Sequence, residues 1–461
     1  MATPGDGVPE CDIAVVGAGL TGSMVALLLA RAGHRLTIIE KRADLRADLV
    51  TTEFGQMTNP NKRSINLALS HRGIEALKAA DLFDRVQPLL IAMEGRCIHS
   101  LDGSAKIQPY GHAGQAIYSV ARSDLNAFLL DALAATDRIT FRFETTVERI
   151  QPDGKLTTVD RHGNKQVVSF DMIVGADGAF SSVRDSMSKC SRVNVSQEFL
   201  SVGYKELTIQ AGSQGEFALA SPNNLHIWPR HARGMLIALP NRDRSFTATL
   251  FAPWADLDAL DADPSSIGAY FTELYPDFVD LIGAPDLVAQ VHAAPSSPLV
   301  TVKCSPWNTG VVVLLGDAAH AVVPFYGQGM NAGFEDALLF ADIWARHARR
   351  DVRACLEQFN RERQPAGIAL ADLSLENFVE MSSKTDSFLF RAKKRVEAVL
   401  HAVCPKAWVP LYTMVSFTRT PYDVARRRAL VQDRIFYSAI GVVAVASAAA
   451  VAVCTGPGRR R

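Results

Sequence analysis

A glycine-rich turn near residue 17 constrains the fold of this chain more than any other feature. Gly17, Gly19 and Gly22 form a G-x-G-x-x-G pattern directly after the β-rich run 11–16. A helical pattern of small residues follows the turn and leads into a second strand pattern at 35–39. The order of strand, glycine turn, helix and strand predicts a βαβ unit with a parallel sheet, and it is typical of dinucleotide-binding domains.

The glycines and Glu40 indicate which ligand this turn would bind. The first glycine permits a tight turn, the second lets a pyrophosphate approach the backbone, and the third allows close helix–strand packing. The start of the helix then offers unpaired N–H groups and a positive dipole end to the phosphates. Glu40 follows Gly22 by eighteen residues and suits both ribose hydroxyls, while its charge repels a 2′-phosphate. The turn therefore predicts FAD or NAD, with a glycine-rich packing turn as the alternative.

Three later features favour FAD. Asp317 follows the wholly apolar run 311–315, which is typical of a strand buried on both faces, and it could accept a hydroxyl of a flavin's ribityl chain. The loop 324–331 precedes a helix, so its N–H groups and the helix dipole would stabilise the negative charge of a reduced flavin. Asp177 ends a third strand pattern and is followed by a turn that opens a helix.

The pattern changes in the middle of the chain. Residues 201–252 contain four short strand-like runs separated by turn residues, with a four-residue hairpin loop at 241–244, and they predict an antiparallel sheet. Residues 331–401 have helical patterns, with Asn331 as a candidate N-cap. We predict an α/β fold with a split Rossmann-like FAD-binding domain (11–90, 111–195 and 300–345), an antiparallel-sheet substrate domain (91–110 and 196–299), a C-terminal helical region (346–434) and a membrane anchor (435–461).

The anchor prediction depends on the run 435–454. These twenty residues carry no charge and are bounded by basic residues at 426–428, 434 and 459–461. A helix of that length spans about 30 Å, the hydrocarbon thickness of a bilayer. We expect a membrane helix, and a buried C-terminal helix is the alternative. Basic residues on both sides leave the orientation open.

Composition excludes several other functions. The 48 basic residues balance 48 acidic ones, and a dedicated nucleic-acid binder needs a basic excess. The seven cysteines are odd in number and include no C-x-x-C pair. We therefore expect neither a disulfide framework nor a zinc site, and the cysteine usage favours a reducing compartment.

Taken together, the glycine turn and the segments 174–184 and 314–320 resemble the fingerprints of class A flavoprotein monooxygenases, the p-hydroxybenzoate hydroxylase type. The resemblance implies FAD as cofactor, NADPH as a co-substrate that visits and leaves, and O₂ as the oxygen donor. It implies hydroxylation of an aromatic ring through a flavin C4a-hydroperoxide, with no catalytic side chain and no metal.

Further segments resemble the members of that family that hydroxylate L-kynurenine to 3-hydroxy-L-kynurenine in tryptophan catabolism. The likeness runs from about residue 11 to beyond residue 420, and five segments carry it: 63–73, 98–101, 224–230, 325–336 and 410–414. It implies L-kynurenine as substrate. It also implies a single C-terminal membrane helix at the mitochondrial outer membrane, with the catalytic domain facing the cytosol.

The resemblance also assigns site residues. Guanidinium, amide and phenol groups hold the amino-acid end of the substrate, and an apolar wall faces its ring. The first set is Arg96, Tyr110, Asn377 and Tyr412, and the wall is Phe325 and Met381. The positions implied for FAD are Gly17, Gly19, Thr21, Gly22, Glu40, Arg42, Ala68, Arg122, Val147, Asp177, Ser182, Asp317, Gly329, Met330 and Asn331.

Two other functions stay open on the sequence. One is a hydroxylase of the same class that acts on a phenol or quinone precursor at a membrane. The other is a membrane-anchored flavoprotein that binds partners without hydroxylating. For His320, we prefer a local hydrogen-bonding histidine behind the flavin to a catalytic role, because the flavin itself carries the reactive oxygen.

Overall fold

The computed structural model of the chain describes most of its length. The described residues are 10–48, 50–51, 57–58, 66–111, 114–347, 351–384 and 388–455. Of these, residues 48, 50–51, 57–58, 383–384, 388–391, 398 and 439–455 are described by backbone alone. Residues 63–65, which open one of the five segments above, lie outside the described part.

The predicted βαβ unit forms the centre of a six-stranded sheet. Strand Asp12–Val16 pairs in parallel with Arg35–Ile39, and helix Leu20–Arg31 connects them. On its other side, strand Asp12–Val16 pairs in parallel with Met172–Gly175. The carboxyl end of strand Asp12–Val16 is therefore a topological switch point, where open α/β sheets bind ligands. In spatial order the strands are Ile139–Arg142, Arg35–Ile39, Asp12–Val16, Met172–Gly175, Val312–Leu314 and Asn308–Thr309, with the last pair antiparallel.

Helices pack on this sheet and close the largest apolar core. Ile13, Val15 and Ile173 are fully buried, as expected for strands covered on both faces. The helix of the βαβ unit begins at Leu20, inside the glycine pattern, because Gly22 lacks a side chain and fits inside the helix. The helices around this sheet are Leu20–Arg31, His71–Ala79, Phe83–Val86, Arg122–Ala134, Ser182–Cys190 and Gly329–His347.

Three small sheets extend this domain. The first is antiparallel and contains Thr145–Ile150, Lys155–Asp160 and Lys165–Ser169. The second places Ile117–Ala121 between Asn66–Leu69 and Ile91–Met93. The strand at 91–93 therefore pairs with a strand of the predicted FAD-binding domain, although it lies in the segment 91–110 that we predicted for the substrate domain. The third is the short pair Val50–Thr51 and Met57–Thr58.

A seven-stranded sheet forms the second domain. The predicted strands between 201 and 252 are present, and they pair as antiparallel neighbours. One pair of the sheet differs, because Asn224–Pro229 runs parallel to Gly95–His99. These two strands are far apart in the chain, and no hairpin joins them. In spatial order the strands are Ser297–Ser305, Asn194–Ile209, Phe246–Pro253, Met235–Pro240, Asn224–Pro229, Gly95–His99 and Ala105–Pro109.

The two faces of this sheet have different neighbours. Ile227 and Phe251 point to an apolar cluster that also contains Phe325 of the FAD domain. Trp228 and Leu250, one residue away on the same strands, point to the opposite cluster. Helices cover that outer cluster, and they are Trp254–Ala262, Ser266–Leu274, Pro276–Ile282 and Ala284–Ala293.

The C-terminal region is helical, as predicted. Its elements are Val352–Val379, a π-helical turn at Glu380–Lys384, Phe388–Val403, Leu411–Phe417 and Tyr422–Thr455. Among the residues that the structure describes, every helix is either too short or too polar to span a bilayer. Most of the run 435–454 lies outside the residues whose side chains are described, so the predicted membrane helix stays a prediction.

Candidate active site

The three glycines of the turn differ in how much space the surrounding protein leaves for a side chain. Gly17 has φ +104°, and a Cβ there would lie 2.5 Å from the carbonyl oxygen of Ala176. A Cβ on Gly22 would lie 2.0 Å from the carbonyl oxygen of Gly17. At Gly19, no described atom beyond its chain neighbours lies within 4 Å of that position. Gly17 and Gly22 are therefore required by the fold, whereas the space at Gly19 is open to a ligand such as a pyrophosphate.

This difference predicts separate effects of two alanine substitutions. Gly19→Ala keeps an allowed backbone conformation, so the chain should fold, but the new methyl group would occupy the pyrophosphate space. We expect at least a tenfold loss of FAD affinity with little change in the melting temperature of the FAD-stripped protein. Gly22→Ala should lower that melting temperature as well, because its methyl group meets backbone.

The measurements are flavin content by absorbance and thermal unfolding of the stripped proteins. The matched control is Gly268→Ala, since Gly268 lies in helix Ser266–Leu274 and has open space around its Cβ position. An alanine there should be neutral or slightly stabilising. Equal FAD content in the Gly19→Ala and Gly268→Ala proteins would refute the role given to Gly19.

Glu40 lies buried at the end of its strand with an ordered carboxylate. It accepts hydrogen bonds from the backbone N–H groups of Ala18 (2.9 Å) and Arg42 (3.0 Å) and from Nε of Arg42 (2.8 Å). Burial alone would raise the pKa of Glu40, but these hydrogen bonds outweigh it and lower the pKa below its ordinary value. Oε1 accepts both bonds from Arg42, whereas Oε2 accepts one short bond from Ala18 and a long contact of 3.5 Å from Arg42, so the ionised carboxylate can still accept a ribose hydroxyl at Oε2.

Asp317 is the first residue of the short helix Asp317–His320, near the glycine turn. Its side chain is accessible to solvent although protein atoms surround it closely. Desolvation raises the pKa of Asp317, and the positive charge of Arg122 opposes that rise. Thr21 lies beside this segment, because its Oγ1 is 2.6 Å from where a Cβ of Gly316 would be and 2.2 Å from that of Gly333. The glycine turn, the segment around Asp317 and the helix Gly329–His347 therefore meet.

Asn331 corrects one prediction. It lies inside the helix Gly329–His347 and is not its N-cap. Its Nδ2 donates to the carbonyl oxygens of Ala68 and Gly327, both at 2.8 Å, and its Oδ1 accepts from the N–H of Ser70 at 2.8 Å. These bonds fix the loop to the strand that carries Ala68. The side chain is therefore used within the protein, and a flavin contact here would come from the backbone.

Asp177 and Ser182 also use their side chains locally. The Asp177 carboxylate accepts from Oγ of Ser181 (2.5 Å) and from the N–H (2.7 Å) and Oγ (2.9 Å) of Ser182, so it supports the start of the helix Ser182–Cys190, whose N-cap is Ser181. Arg184 on this helix donates to the carbonyl oxygen of Ala318 at 3.0 Å, which ties the segment to Asp317. The direct FAD contacts of Asp177 and Ser182 stay predictions.

The other positions predicted for FAD differ in exposure. Arg42 and Arg122 have exposed side chains, Met330 is partly buried, and Val147 is buried in strand Thr145–Ile150 next to a shift in strand register. Gly329 is the first residue of its helix. These positions stay predictions for FAD binding.

Three of the predicted substrate residues meet in one aromatic cluster. The rings of Tyr110 and Tyr412 stack with centroids 5.2 Å apart and an angle of 15°. The guanidinium carbon of Arg96 lies 4.7 Å from the ring centroid of Tyr412 and 5.6 Å from that of Tyr110. These residues come from strand Gly95–His99, the end of the following strand and helix Leu411–Phe417, so the fold brings together positions more than 300 apart in the chain.

Arg96 is a cation with unused hydrogen-bonding capacity. Its Nε is buried and lacks a hydrogen-bond partner, and no carboxylate of the described chain pairs with its guanidinium. Burial would lower the pKa of Arg96, but the nearby oxygens of Tyr412 and Tyr110 outweigh that effect and keep the guanidinium charged. Burial also raises the pKa of Tyr110 well above its ordinary value. Tyr412 and Arg96 lie beside its hydroxyl, but no described residue makes a hydrogen bond of good geometry with it. This set is suited to an anionic oxygen ligand.

The predicted apolar wall lies in an adjoining cluster. Phe325 stacks on Phe378 at 4.2 Å and meets the ring of Phe251 at 5.0 Å. Met381 is buried in the same cluster. The amide of Asn377 donates to the carbonyl oxygen of Phe325 at 2.8 Å and contacts the sulfur of Met381 at 3.2 Å. Asn377 therefore positions the wall, and its contact with substrate stays a prediction.

Two residues that were not predicted for the site connect these clusters. Tyr326 follows Phe325 and stacks on Tyr412 at 5.9 Å and 15°, so three tyrosine rings are layered. Glu380 precedes Met381 and acts electrostatically on Arg96. The sequence shows the Tyr326 hydroxyl and the Glu380 charge, but their approach to Arg96 depends on the tertiary fold.

A buried charged network behind the site was also missed. The carboxylate of Asp336 is completely buried and accepts from Nε of Arg363 at 2.6 Å and from the N–H of Gly316 at 2.8 Å. It also lies 2.7 Å from Nε2 of His320. Glu335 bridges Arg363 and Arg72 at 2.7 and 2.6 Å. His320 is thus a buried, locally bonded residue, in accordance with the preferred interpretation of the sequence.

These features define an FAD-binding flavoprotein. The open space at Gly19, the ionised Glu40 and the accessible Asp317 fit an adenine dinucleotide with a ribityl chain. The family model described as an FAD binding domain matches residues 10–374.

Solved structures share the fold. A 2-methyl-3-hydroxypyridine-5-carboxylic acid oxygenase is 21% identical with a TM-score of 0.67, covering 89% of this chain and all of its own. PqsL from Pseudomonas aeruginosa is 20% identical with a TM-score of 0.63, covering 81% of this chain and 97% of its own.

Sequence relatives narrow the class. Kynurenine 3-monooxygenase of Yarrowia lipolytica is 41% identical over 436 residues, which cover 92% of each chain. The protein of that name from Sus scrofa is 39% identical over 94% of this chain and 89% of its own. The chain therefore belongs to the kynurenine 3-monooxygenase family and is an FAD-dependent monooxygenase.

Proposed function

We propose that this enzyme hydroxylates L-kynurenine to 3-hydroxy-L-kynurenine, with NADPH as reductant and O₂ as oxygen donor. The observation that carries the proposal is the charged Arg96, because its buried Nε and the neighbouring Tyr110 hydroxyl lack well-formed hydrogen bonds to any described residue. A buried cation with unsatisfied donors is costly unless a ligand completes it. The α-carboxylate of kynurenine supplies the missing anionic acceptor.

The chain's own residues then bind and orient the substrate. Arg96 and the tyrosine hydroxyls hold the carboxylate, while Phe325 and Met381 pack against the aminophenyl ring. The ring carbon beside the amine is thereby held at a fixed place relative to the cofactor, and the apolar wall excludes water, whose entry would favour loss of peroxide. The turn at Gly19, together with Glu40 and Asp317, would hold FAD, which would supply the redox chemistry that links NADPH and O₂.

One assay separates this function from the two alternatives. NADPH oxidation, peroxide release and product mass are measured with kynurenine, with a panel of phenols and quinone precursors, and without substrate. We expect one product molecule, heavier than kynurenine by one oxygen atom, for each NADPH oxidised. Oxygenation of a phenol but not of kynurenine would favour the first alternative. Peroxide with every substrate and no oxygenated product would favour a non-hydroxylating flavoprotein.

We further propose that the C-terminal run 435–454 anchors the enzyme in the mitochondrial outer membrane, with the catalytic domain in the cytosol. The run is uncharged with basic flanks. More than half of Leu430 (51%) and Val431 (52%), in the helix leading into it, and of Ile435 (56%), its first residue, is exposed. Residues 1–434 alone should leave the membrane fraction on carbonate extraction while the full chain stays, with kynurenine turnover preserved. Equal extraction of both proteins would contradict the anchor.

A further inference from the structure

Three metal-ligating side chains meet on the outer face of the seven-stranded sheet, away from Arg96. Cys97 and His99 alternate along strand Gly95–His99. On the neighbouring strand, His226 is the register partner of Cys97. Because successive side chains of a strand point to opposite faces, these three share the face that Arg96 does not use.

The spacing of the three ligands suits one metal ion. The Cys97 sulfur and one ring nitrogen of each histidine all lie within 4.8 Å of one another. Nε2 of His99 is 2.9 Å from Nδ1 of His226. In a tetrahedral zinc site with bonds of about 2.0–2.3 Å, ligand atoms are about 3.3–3.6 Å apart. Small side-chain rotations therefore convert the observed arrangement into a coordination shell.

Burial and a nearby carboxylate support this arrangement. His226 is completely buried, and the ring nitrogen that it turns toward His99 is Nδ1. Nδ1 of His99 lies 3.3 Å from the carboxylate of Asp277, which is itself held by the indole N–H of Trp228 at 2.7 Å. A carboxylate that orients the second nitrogen of a ligating histidine is the usual support of a protein metal site.

We propose that Cys97, His99 and His226 bind a single Zn²⁺ ion, with Asp277 orienting His99. A thiolate and two imidazoles form a soft to borderline ligand set that favours zinc over magnesium or calcium. A pocket lined by Cys97, His99, Ser221, Asp277 and Leu281 borders the cluster, so water from this pocket can fill the fourth position. The sequence predicted no zinc site because it lacks a C-x-x-C pair. The three proposed ligands come from two strands far apart in the sequence, which such a pattern does not detect.

The test uses the full-length, untagged enzyme loaded with FAD and freed of metal by a chelator. Equilibrium dialysis against Zn²⁺, followed by elemental analysis, should give one zinc per chain and no binding of Mg²⁺. Cys97→Ser, which nearly preserves side-chain volume, should weaken zinc binding at least about 100-fold, and Asp277→Asn about 10- to 100-fold. Cys190→Ser is the matched control, because this exposed cysteine lies on the separate helix Ser182–Cys190.

Flavin content and circular dichroism establish that each variant is folded before zinc is measured. His99→Gln provides a second ligand variant if Cys97→Ser loses FAD. Failure of the wild-type enzyme to take up zinc at micromolar free concentration would overturn the proposal and leave a histidine–histidine hydrogen bond as the role of the cluster. Zinc uptake that is unchanged by Cys97→Ser and by His99→Gln would overturn it equally, because the ion would then lie elsewhere.

Discussion

Replacing Arg96 by alanine is expected to lower kcat/KM for kynurenine by roughly 30- to 4,000-fold, while FAD stays bound. The range corresponds to about 2–5 kcal/mol, the cost of truncating one partner of a desolvated, hydrogen-bonded charge pair. The α-carboxylate would then be buried against Tyr110 and Tyr412 without a cation. FAD retention follows because Arg96 lies on the seven-stranded sheet, apart from the glycine turn.

Two further variants sharpen this result. Arg96→Lys keeps the charge but loses the planar fork, so its kcat/KM should fall between those of the wild-type and alanine proteins. Arg161→Ala is the matched control, since Arg161 is exposed and pairs with Glu144 at the surface. Steady-state kinetics with product quantification provide the readout. Normal kynurenine hydroxylation by a folded, FAD-loaded Arg96→Ala enzyme would show that the substrate site lies elsewhere.

The FAD-binding half of the fold could be predicted because its signals are local. Strand 35–39 and the glycine turn follow from short patterns, and the steric positions of Gly17 and Gly22 agree with the roles that the pattern assigns. The N-cap prediction for Asn331 was wrong, because its side chain hydrogen-bonds residues far away in the chain. Asn331 has N-cap chemistry, but its amide is drawn to Ala68 and Ser70, which a local pattern cannot reveal.

The substrate site needed more than local patterns. Arg96, Tyr110 and Tyr412 carry no periodicity or spacing that sets them apart, and only the resemblance to a family indicated them. Their chemistry becomes evident in the fold. Arg96 lies against two stacked tyrosine rings, and no described carboxylate forms an ion pair with it. Tyr326 lies within a recognised segment, yet its place in the stack depends on the docking of helix Leu411–Phe417.

The charged network around Asp336 was the largest omission. Glu335 and Asp336 interrupt an apolar helix in the sequence, which is itself a sign of buried pairing, because buried carboxylates need partners. Their partners, Arg72 and Arg363, lie about 263 and 27 residues away in the chain. Sequence alone therefore indicates that such partners exist without identifying them.

The largest effect on stability is expected for Asp336→Asn. The substitution leaves Arg363 without its carboxylate and places an NH₂ group among donors, including the N–H of Gly316 next to Asp317. Breaking a buried ion pair by removing one partner costs about 3–5 kcal/mol. We expect a clearly lower midpoint of thermal FAD release, followed by flavin fluorescence. Asp342→Asn, an exposed change on the same helix, should alter that midpoint little.

The effect of Asp336→Asn should also depend on pH with a defined sign. Burial would raise the pKa of Asp336, but the charges of His320 and Arg363 outweigh it and hold the pKa well below its ordinary value. A carboxylate whose pKa is lower in the folded state than in the unfolded state, about 3.9, stabilises the protein above that unfolded value. That contribution is lost as the pH falls toward the folded pKa. The gap between the wild-type and variant midpoints should therefore shrink as the pH falls below about pH 4. A gap that widens on acidification would show that Asp336 is not the stabilising anion of this network.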